Sequence, residues 1–341
     1  MQQHNEMIIQ ISELQILLNL MARDTIVLDY PLYDLKMVHA RPSKDGYRIN
    51  VLTDPDEILE KYEYSPHTDE LPSFDDIKYC LLLSGIIQYD NMDEFQDKLR
   101  ALNKLDHTIY FAPDTNLFYQ RTLSRLNIPN PHFLVVDTVY DEIESSINHK
   151  YNKHVLYEME QDADFHGELL KELSNRKPKK SRKAAYIAMR EYKRIRDNIL
   201  ETKAGEPSTS YSERNDLIIV KAIRDFQENN QNVFPVILTA DTNMAELCIS
   251  KGPECFHFTY PSSVEVDTCT PYQLRDLIFY LARVCGLIKC NSVIIYGEYS
   301  HKTWNDDSLK LVFQDATLFE RFKEDHKLCR ELMELGIGTP S

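Results

Sequence analysis

At 341 residues, with 43% hydrophobic side chains and nine glycines, the chain has the length of about two domains and enough apolar mass for a buried core, which excludes a disordered or fibrous protein. The formal charge of −15 opposes indiscriminate nucleic-acid binding, and seven scattered cysteines with no C-x-x-C pair oppose a disulfide frame or zinc ribbon. The longest apolar run, around Cys80 to Leu83, is too short for a membrane span, and the first residues lack a signal peptide's basic and apolar segments, so a soluble cytoplasmic protein is expected.

Residues 1–105 read as an accessory α/β region. Ile8, Ile11, Leu14, Leu17, Leu18 and Met21 recur at helical spacing and predict a helix. Strands are predicted at Thr25 to Leu28 and at Tyr47 to Leu52, the second after a Lys44-Asp45-Gly46 turn. Asp54-Pro55-Asp56-Glu57 reads as a helix start, with proline in the first turn and acids favouring the N-terminal dipole. Helical pattern fills 73–104.

From 106 the pattern alternates. A strand at His107 to Ala112 ends in Pro113-Asp114-Thr115-Asn116. A second, Phe133 to Val136, leads into Asp137-Thr138-Val139-Tyr140-Asp141-Glu142. A third, Val233 to Leu238, ends in Thr239-Ala240-Asp241 and opens a helix stopped by Gly252-Pro253, before a fourth at Cys255 to Tyr260. Strands alternating with helices predict a parallel sheet over 106–262, whose ligands collect at the carboxyl ends of the strands.

Within it, 151–200 reads as an inserted helical hairpin. Val155, Met159, Asp162, His166, Leu169 and Leu173 form one seam, and Ala185, Ala188, Tyr192, Ile195 and Ile199 the other. Between Lys171 and Arg196 the local charge is +9, against −24 for the rest. Such segregation predicts a basic arm, with Arg176, Lys177, Lys179, Lys180, Arg182 and Lys183 touching nucleic-acid phosphates; the alternative is a solvated helix face. Residues 263–341 read as a C-terminal accessory α/β region, with a helix over 271–285 and a strand at Val293 to Tyr296.

Each acid alone has a structural reading as a helix cap or first-turn acid. Together, Asp114 and Asp241 at strand ends and Glu142 and Asp216 at helix starts share one predicted rim. Four carboxylates crowded there repel one another, and a hard divalent cation relieves the conflict; carboxylate and water coordination suits Mg²⁺ or Mn²⁺. Such a site can activate water and stabilise a leaving oxygen in phosphodiester hydrolysis.

Asp114-Thr115-Asn116, Val139-Tyr140-Asp141-Glu142, Asn215-Asp216 and Thr239-Ala240-Asp241, in that order, resemble the motifs of PIN-domain nucleases. The match covers about 106–262 less the insert. It implies a PIN-like three-layer α/β domain, metal held by Asp114, Glu142, Asp216 and Asp241, and carboxylates oriented by Asn116 and Thr239. Family spacing prefers Glu142 over Asp141. The implied activity is endoribonucleolytic, leaving 5′-phosphate and 3′-hydroxyl ends. The alternatives are a non-catalytic RNA-binding or assembly module of the same fold and a structure-selective DNA nuclease. An aspartyl phosphatase fits less well, because Asn116 occupies the place of its second acid. The substrate and the oligomeric state stay open.

Overall fold

The computed structural model describes residues 5–128, 131–209, 211–303 and 307–337. In chain order its elements are β1 (Glu6–Gln10), α1 (Leu14–Leu20), β2 (Ile26–Tyr30), β3 (Leu35–Ser43), β4 (Gly46–Val51), α2 (Pro55–Lys61), α3 (Phe74–Ser84) and α4 (Met92–Leu102). Then come β5 (Thr108–Pro113), α5 (Thr115–Tyr119), β6 (Phe133–Val136), α6 (Asp137–Ile147), α7 (Lys153–Asp162), α8 (Lys179–Lys183), α9 (Met189–Ile195) and β7 (Ile199–Thr202). The chain continues through α10 (Ser212–Asn229), β8 (Val233–Thr239), α11 (Thr242–Lys251), β9 (Glu254–His257), β10 (Thr268–Cys269), α12 (Pro271–Cys285), β11 (Leu287–Cys290), β12 (Val293–Tyr296), β13 (Ser308–Phe313) and α13 (Ala316–Glu334). The protein is α/β, and among the described residues no helix is long and apolar enough to cross a membrane.

Two units divide these elements. The first comprises Met1–Ile86, Lys150–Arg182 and Val264–Ser341; the second comprises Ile87–His149 and Lys183–Ser263. The partition differs from the expected 1–105, 106–262 and 263–341, and strand pairing gives the reason. The two regions expected as separate accessories share one antiparallel sheet, ordered β1-β13-β12-β11-β2-β3-β4-β10. β1 pairs with β13 from Glu6↔Val312 to Gln10↔Ser308, and β11 pairs with β2. Separating them would strip main-chain groups of their ladder partners. Pairing also overturns the helix expected from Ile8: residues 6–10 are strand, and the helix begins only at Leu14 after a short 3-10 turn.

In the first unit α12 is buried nearly all round, with Leu274, Leu277, Ile278 and Leu281 fully covered, as a helix apolar on every face must be. Local signals start it: Pro271 occupies the first turn, and Thr270 and Gln273 form a reciprocal capping box. Asp54 caps α2 by accepting from the Glu57 amide at 2.9 Å.

The second unit carries the parallel sheet, ordered β7-β6-β5-β8-β9. Its boundary falls before α4, earlier than expected at 105, because Phe95 of α4 is 1% exposed and packs against Phe111, Phe256 and Phe258. Burying one such ring contributes about 2–3 kcal/mol, so α4 folds with the sheet.

The expected hairpin of 151–200 is not formed. After α7 the chain turns at His166, with φ +51°, into a 3-10 segment, Gly167–Leu173. A further turn at Asn175, φ +62°, precedes the helical run from α8 through a π-helical Ala184–Ala188 to α9. Ile199, expected on the second seam, begins β7, which pairs in parallel with β6.

Nor is the basic segment an arm. Arg182 is fully buried and cannot reach a phosphate. Its guanidinium donates to the carbonyls of Val284 (2.7 Å), Arg283 (3.1 Å) and Lys177 (3.0 Å) and to the Tyr151 hydroxyl (2.9 Å). It thereby serves carbonyls in the last turn of α12, where the helix dipole favours a cation. Lys179 pairs with Asp76 at 2.9 Å, and Arg176 donates to the Tyr299 carbonyl at 2.8 Å. Lys177 and Lys183 are half-buried, while Lys180 faces solvent. Lysines and arginines that sequence places in one basic run thus divide between interior and surface.

Replacing Arg182 with Gln leaves buried carbonyls short of donors, at about 1–3 kcal/mol for each group. Urea unfolding should show Arg182→Gln destabilised by about 2–4 kcal/mol, whereas exposed Lys180→Gln should stay within about 0.5 kcal/mol of the parent. Equal stabilities for the two variants would contradict this account of the buried guanidinium.

Candidate active site

β5 and β8 lie side by side in parallel register, Pro113 opposite Leu238. From β5 the sheet grows one way through β6 and β7, and from β8 the other way through β9. The β5/β8 boundary is therefore the topological switch point, where strands of an open parallel sheet leave a crevice at their carboxyl ends. Asp114 follows β5 directly, and its amide donates to the Leu238 carbonyl at 2.9 Å. Asp241 follows β8 by two residues and caps α11, accepting from the Asn243 amide at 2.7 Å.

Hydrogen bonds set three of the four carboxylates. The Thr239 hydroxyl donates to Asp114 Oδ2 at 2.8 Å and accepts from the Asp241 amide at 2.9 Å, joining the two strand-end acids through one residue. Asn116 donates to the same Asp114 oxygen at 3.3 Å. Glu142, in the second turn of α6, accepts from the Thr115 hydroxyl and, at 2.6 Å, from Asn215 Nδ2. Asn215 is 2% exposed and in turn accepts from the Thr209 amide at 2.8 Å. Asp216 follows it on α10 and is also buried.

Electrostatics ties the four acids together. Burial pushes the Asp114 carboxyl up to about 6; the Thr239 hydrogen bond opposes the rise, and the charges of Asp241 and Glu142 add to it. The Asp216 carboxyl goes up to about 7, first through burial and then through Asp114, Asp241, Glu142 and Glu213. Tyr260 belongs to the same field, its hydroxyl pushed up to about 12 by burial and by Asp114 and Asp241. Among the described residues, no three His, Cys, Asp or Glu side chains are grouped as metal ligands would be. Each of Asp114, Glu142 and Asp241 instead accepts local hydrogen bonds, as carboxylates without a shared counter-charge do.

Asp141, the rival for the second acidic position, is exposed and accepts from Ser208 at 3.2 Å, whereas Glu142 faces Thr115 and Asn215. Three members of this constellation, Thr115, Asn215 and Tyr260, lie outside the set of site residues read from the sequence. Asn215 precedes the predicted acid, and a polar pair at a helix start reads as capping. Tyr260 ends an apolar run and carries no local signal. Of the basic residues expected to touch phosphates, Arg176, Lys177, Lys179, Lys180 and Arg182 belong to the first unit, and Lys183 belongs to the second with the acids.

No family model matches the chain, and no curated protein matches it. Among solved structures it is similar to a domain of a functionally unknown protein from Methanocaldococcus jannaschii DSM 2661, at 16% identity and a TM-score of 0.28, over 47% of this chain and 97% of that one.

Because burial and like charge both disfavour the ionised Asp216, its neutral isostere should relieve the site. In excess chelator near pH 8, Asp216→Asn should melt about 2–4 °C above the parent, the shift expected of about 1 kcal/mol. A lower melting temperature would mean that Asp216 is held by favourable contacts, and that repulsion among the acids does not govern the site.

Proposed function

We propose that the second unit is a PIN-like, metal-dependent endoribonuclease that hydrolyses RNA phosphodiester bonds to 5′-phosphate and 3′-hydroxyl ends. One observation carries this reading: Asp114, Glu142, Asp216 and Asp241 meet electrostatically at the switch point of a parallel sheet, two of them with strongly raised carboxyl groups. Four acids within electrostatic range of one another, with no ion pair to any of them among the described residues, suit a divalent cation that would draw them together. Carboxylate oxygens are the donors that Mg²⁺ and Mn²⁺ prefer, so the residues fit the ion.

Asp114, Glu142, Asp216 and Asp241 would hold the metal directly or through water, and a bound ion supplies charge neutralisation at the phosphate and a lowered pKa for water. The chain's own residues do the positioning. Thr239 fixes Asp114 and the backbone of Asp241 together, so the two strand-end acids cannot move independently. Asn215 and Thr115 hold Glu142 from two sides. Partners of this kind orient ligands, and their loss typically costs about 10–100-fold.

Purified protein should cut single-stranded RNA in Mg²⁺ or Mn²⁺ and stop in excess chelator. Asp114→Asn and Asp241→Asn should each lose about 100-fold or more in kcat while remaining folded, and Asn215→Ala about tenfold. The products should carry 5′-phosphates, read by ligation to an adaptor that requires them. Cleavage that persists unchanged in chelator would overturn the metal mechanism. Full activity in both Asp variants would overturn the assignment of these acids as metal ligands. Binding without any cleavage in either ion would leave a non-catalytic RNA-binding module, and equal cleavage of single-stranded DNA would remove the ribonuclease assignment.

A further inference from the structure

α10 carries a cationic stripe on the face beside Asp216. Arg214, Leu217, Lys221 and Arg224 recur at steps of three, four and three residues and form one stripe, roughly 100° around the helix from Asp216. With Ile218, Val220, Lys251 of α11 and Glu206 of the segment before α10, they line a groove of about 200 Å³. Four of its eight lining residues are cationic, one is acidic and three are aliphatic, in a chain whose overall charge is −15. Leu217 is 41% exposed on its floor. Because Leu217 directly follows Asp216, the groove adjoins the acidic rim.

Glu206 sits among the cations. Its carboxylate accepts from Lys221 Nζ at 3.3 Å and from Arg214 Nη2 at 3.5 Å, and these two partners, Lys221 first, hold its carboxyl below the usual glutamate range. Long ion pairs between exposed groups contribute little to stability, so this carboxylate is a weak occupant of its place. An anionic oxygen shared between an arginine and a lysine is also where a phosphate oxygen would bind. Lys251 is exposed and forms no ion pair among the described residues.

Size and polarity narrow the ligand. Pockets that enclose whole small molecules run to roughly 300–1,000 Å³, so this groove is too small for one. It has room for one base of a longer strand, with the phosphates outside on the cations. Exposed Leu217, backed by buried Ile218 and Val220, gives that base an apolar surface.

We propose that this groove binds the single-stranded RNA flanking the scissile bond, one base lying on Leu217 and the phosphates on Arg214, Lys221 and Lys251. In the free protein the Glu206 carboxylate occupies a phosphate's place and is displaced as the strand binds. The choice of RNA rests on the nuclease reading above, but the binding does not require metal, so the two can fail separately.

The test is fluorescence anisotropy of a labelled oligouridine with the full-length protein in excess EDTA, over a salt series. The triple variant Arg214→Gln, Lys221→Gln, Lys251→Gln should bind about tenfold or more weakly, with the slope of log affinity against log salt reduced by about 2, since each single-strand phosphate contact accounts for about 0.7. Glu206→Gln, an exposed change that leaves the core untouched, should bind about 3-fold or more tightly, because the competing charge is gone. The groove is refuted if the triple variant keeps both affinity and slope, if Glu206→Gln binds no tighter, or if a labelled oligoglutamate binds more tightly than the RNA. RNA bound through these residues yet never cut in Mg²⁺ would refute the nuclease reading alone. Cutting with the same KM in parent and triple variant would refute the groove alone.

Discussion

Thr239 is the residue on which the site depends most. Its hydroxyl lies between two strands, donating to the carboxylate that ends β5 and accepting from the amide of the acid that follows β8. Neighbouring strands stand about 4.8 Å apart, so two strand-end acids at a switch point are forced into mutual range. Such closeness is unfavourable for buried charges, and the raised Asp114 and Asp216 carboxyls record it. The local hydrogen bonds keep the acids in place despite that repulsion, and the second unit's interior holds the strands that carry them. Phe95, Phe111, Phe256 and Phe258 pack at the β5–β8–β9 side of the sheet, while Phe118, Tyr140 and Tyr192 pack where α5, α6 and α9 meet.

Legibility in the sequence follows the range of the forces involved. β6 and β8 stand out as apolar runs bounded by turn residues, and α2 and α12 announce themselves through caps and prolines, because all these signals lie within a few residues. The acids were legible for the same reason, each sitting at the junction of a strand or helix. Residues 6–10 misled because Ile8 and Ile11 fit helical spacing, while the decisive partner, β13, lies about 300 residues further on. β3 was missed although it forms a hairpin with β4. Its Lys36, His39 and Arg41 interrupt the apolar pattern, since half its residues face outward.

The basic segment failed for a different reason. A run of Lys and Arg reports charge but not direction, and direction is set by distant partners. Arg182 finds the α12 carbonyls about 100 residues away, and Lys179 finds Asp76 about as far in the other direction. Long side chains with several donors can serve buried polar groups as readily as they meet solvent, so a count of charges overstates the binding surface. Asn215 shows the same limit on a smaller scale, since only its contact with Glu142 distinguishes it from a helix-start residue.

The opposed charges of α10 then become intelligible. One face turns Asn215 and Asp216 toward the acids, and the adjacent face offers Arg214, Lys221 and Arg224 to the solvent. On separate elements, two such fields would depend on loop geometry for their spacing; on one helix the spacing is set by its pitch of about 5.4 Å. A chain of net charge −15 can still present a cationic groove, because at physiological salt exposed charges more than about 8 Å apart are largely screened. The local arrangement, and not the total, governs what approaches the rim. A negative surface elsewhere disfavours phosphate contacts there, so the proposed strand would be held where the groove and the acids adjoin.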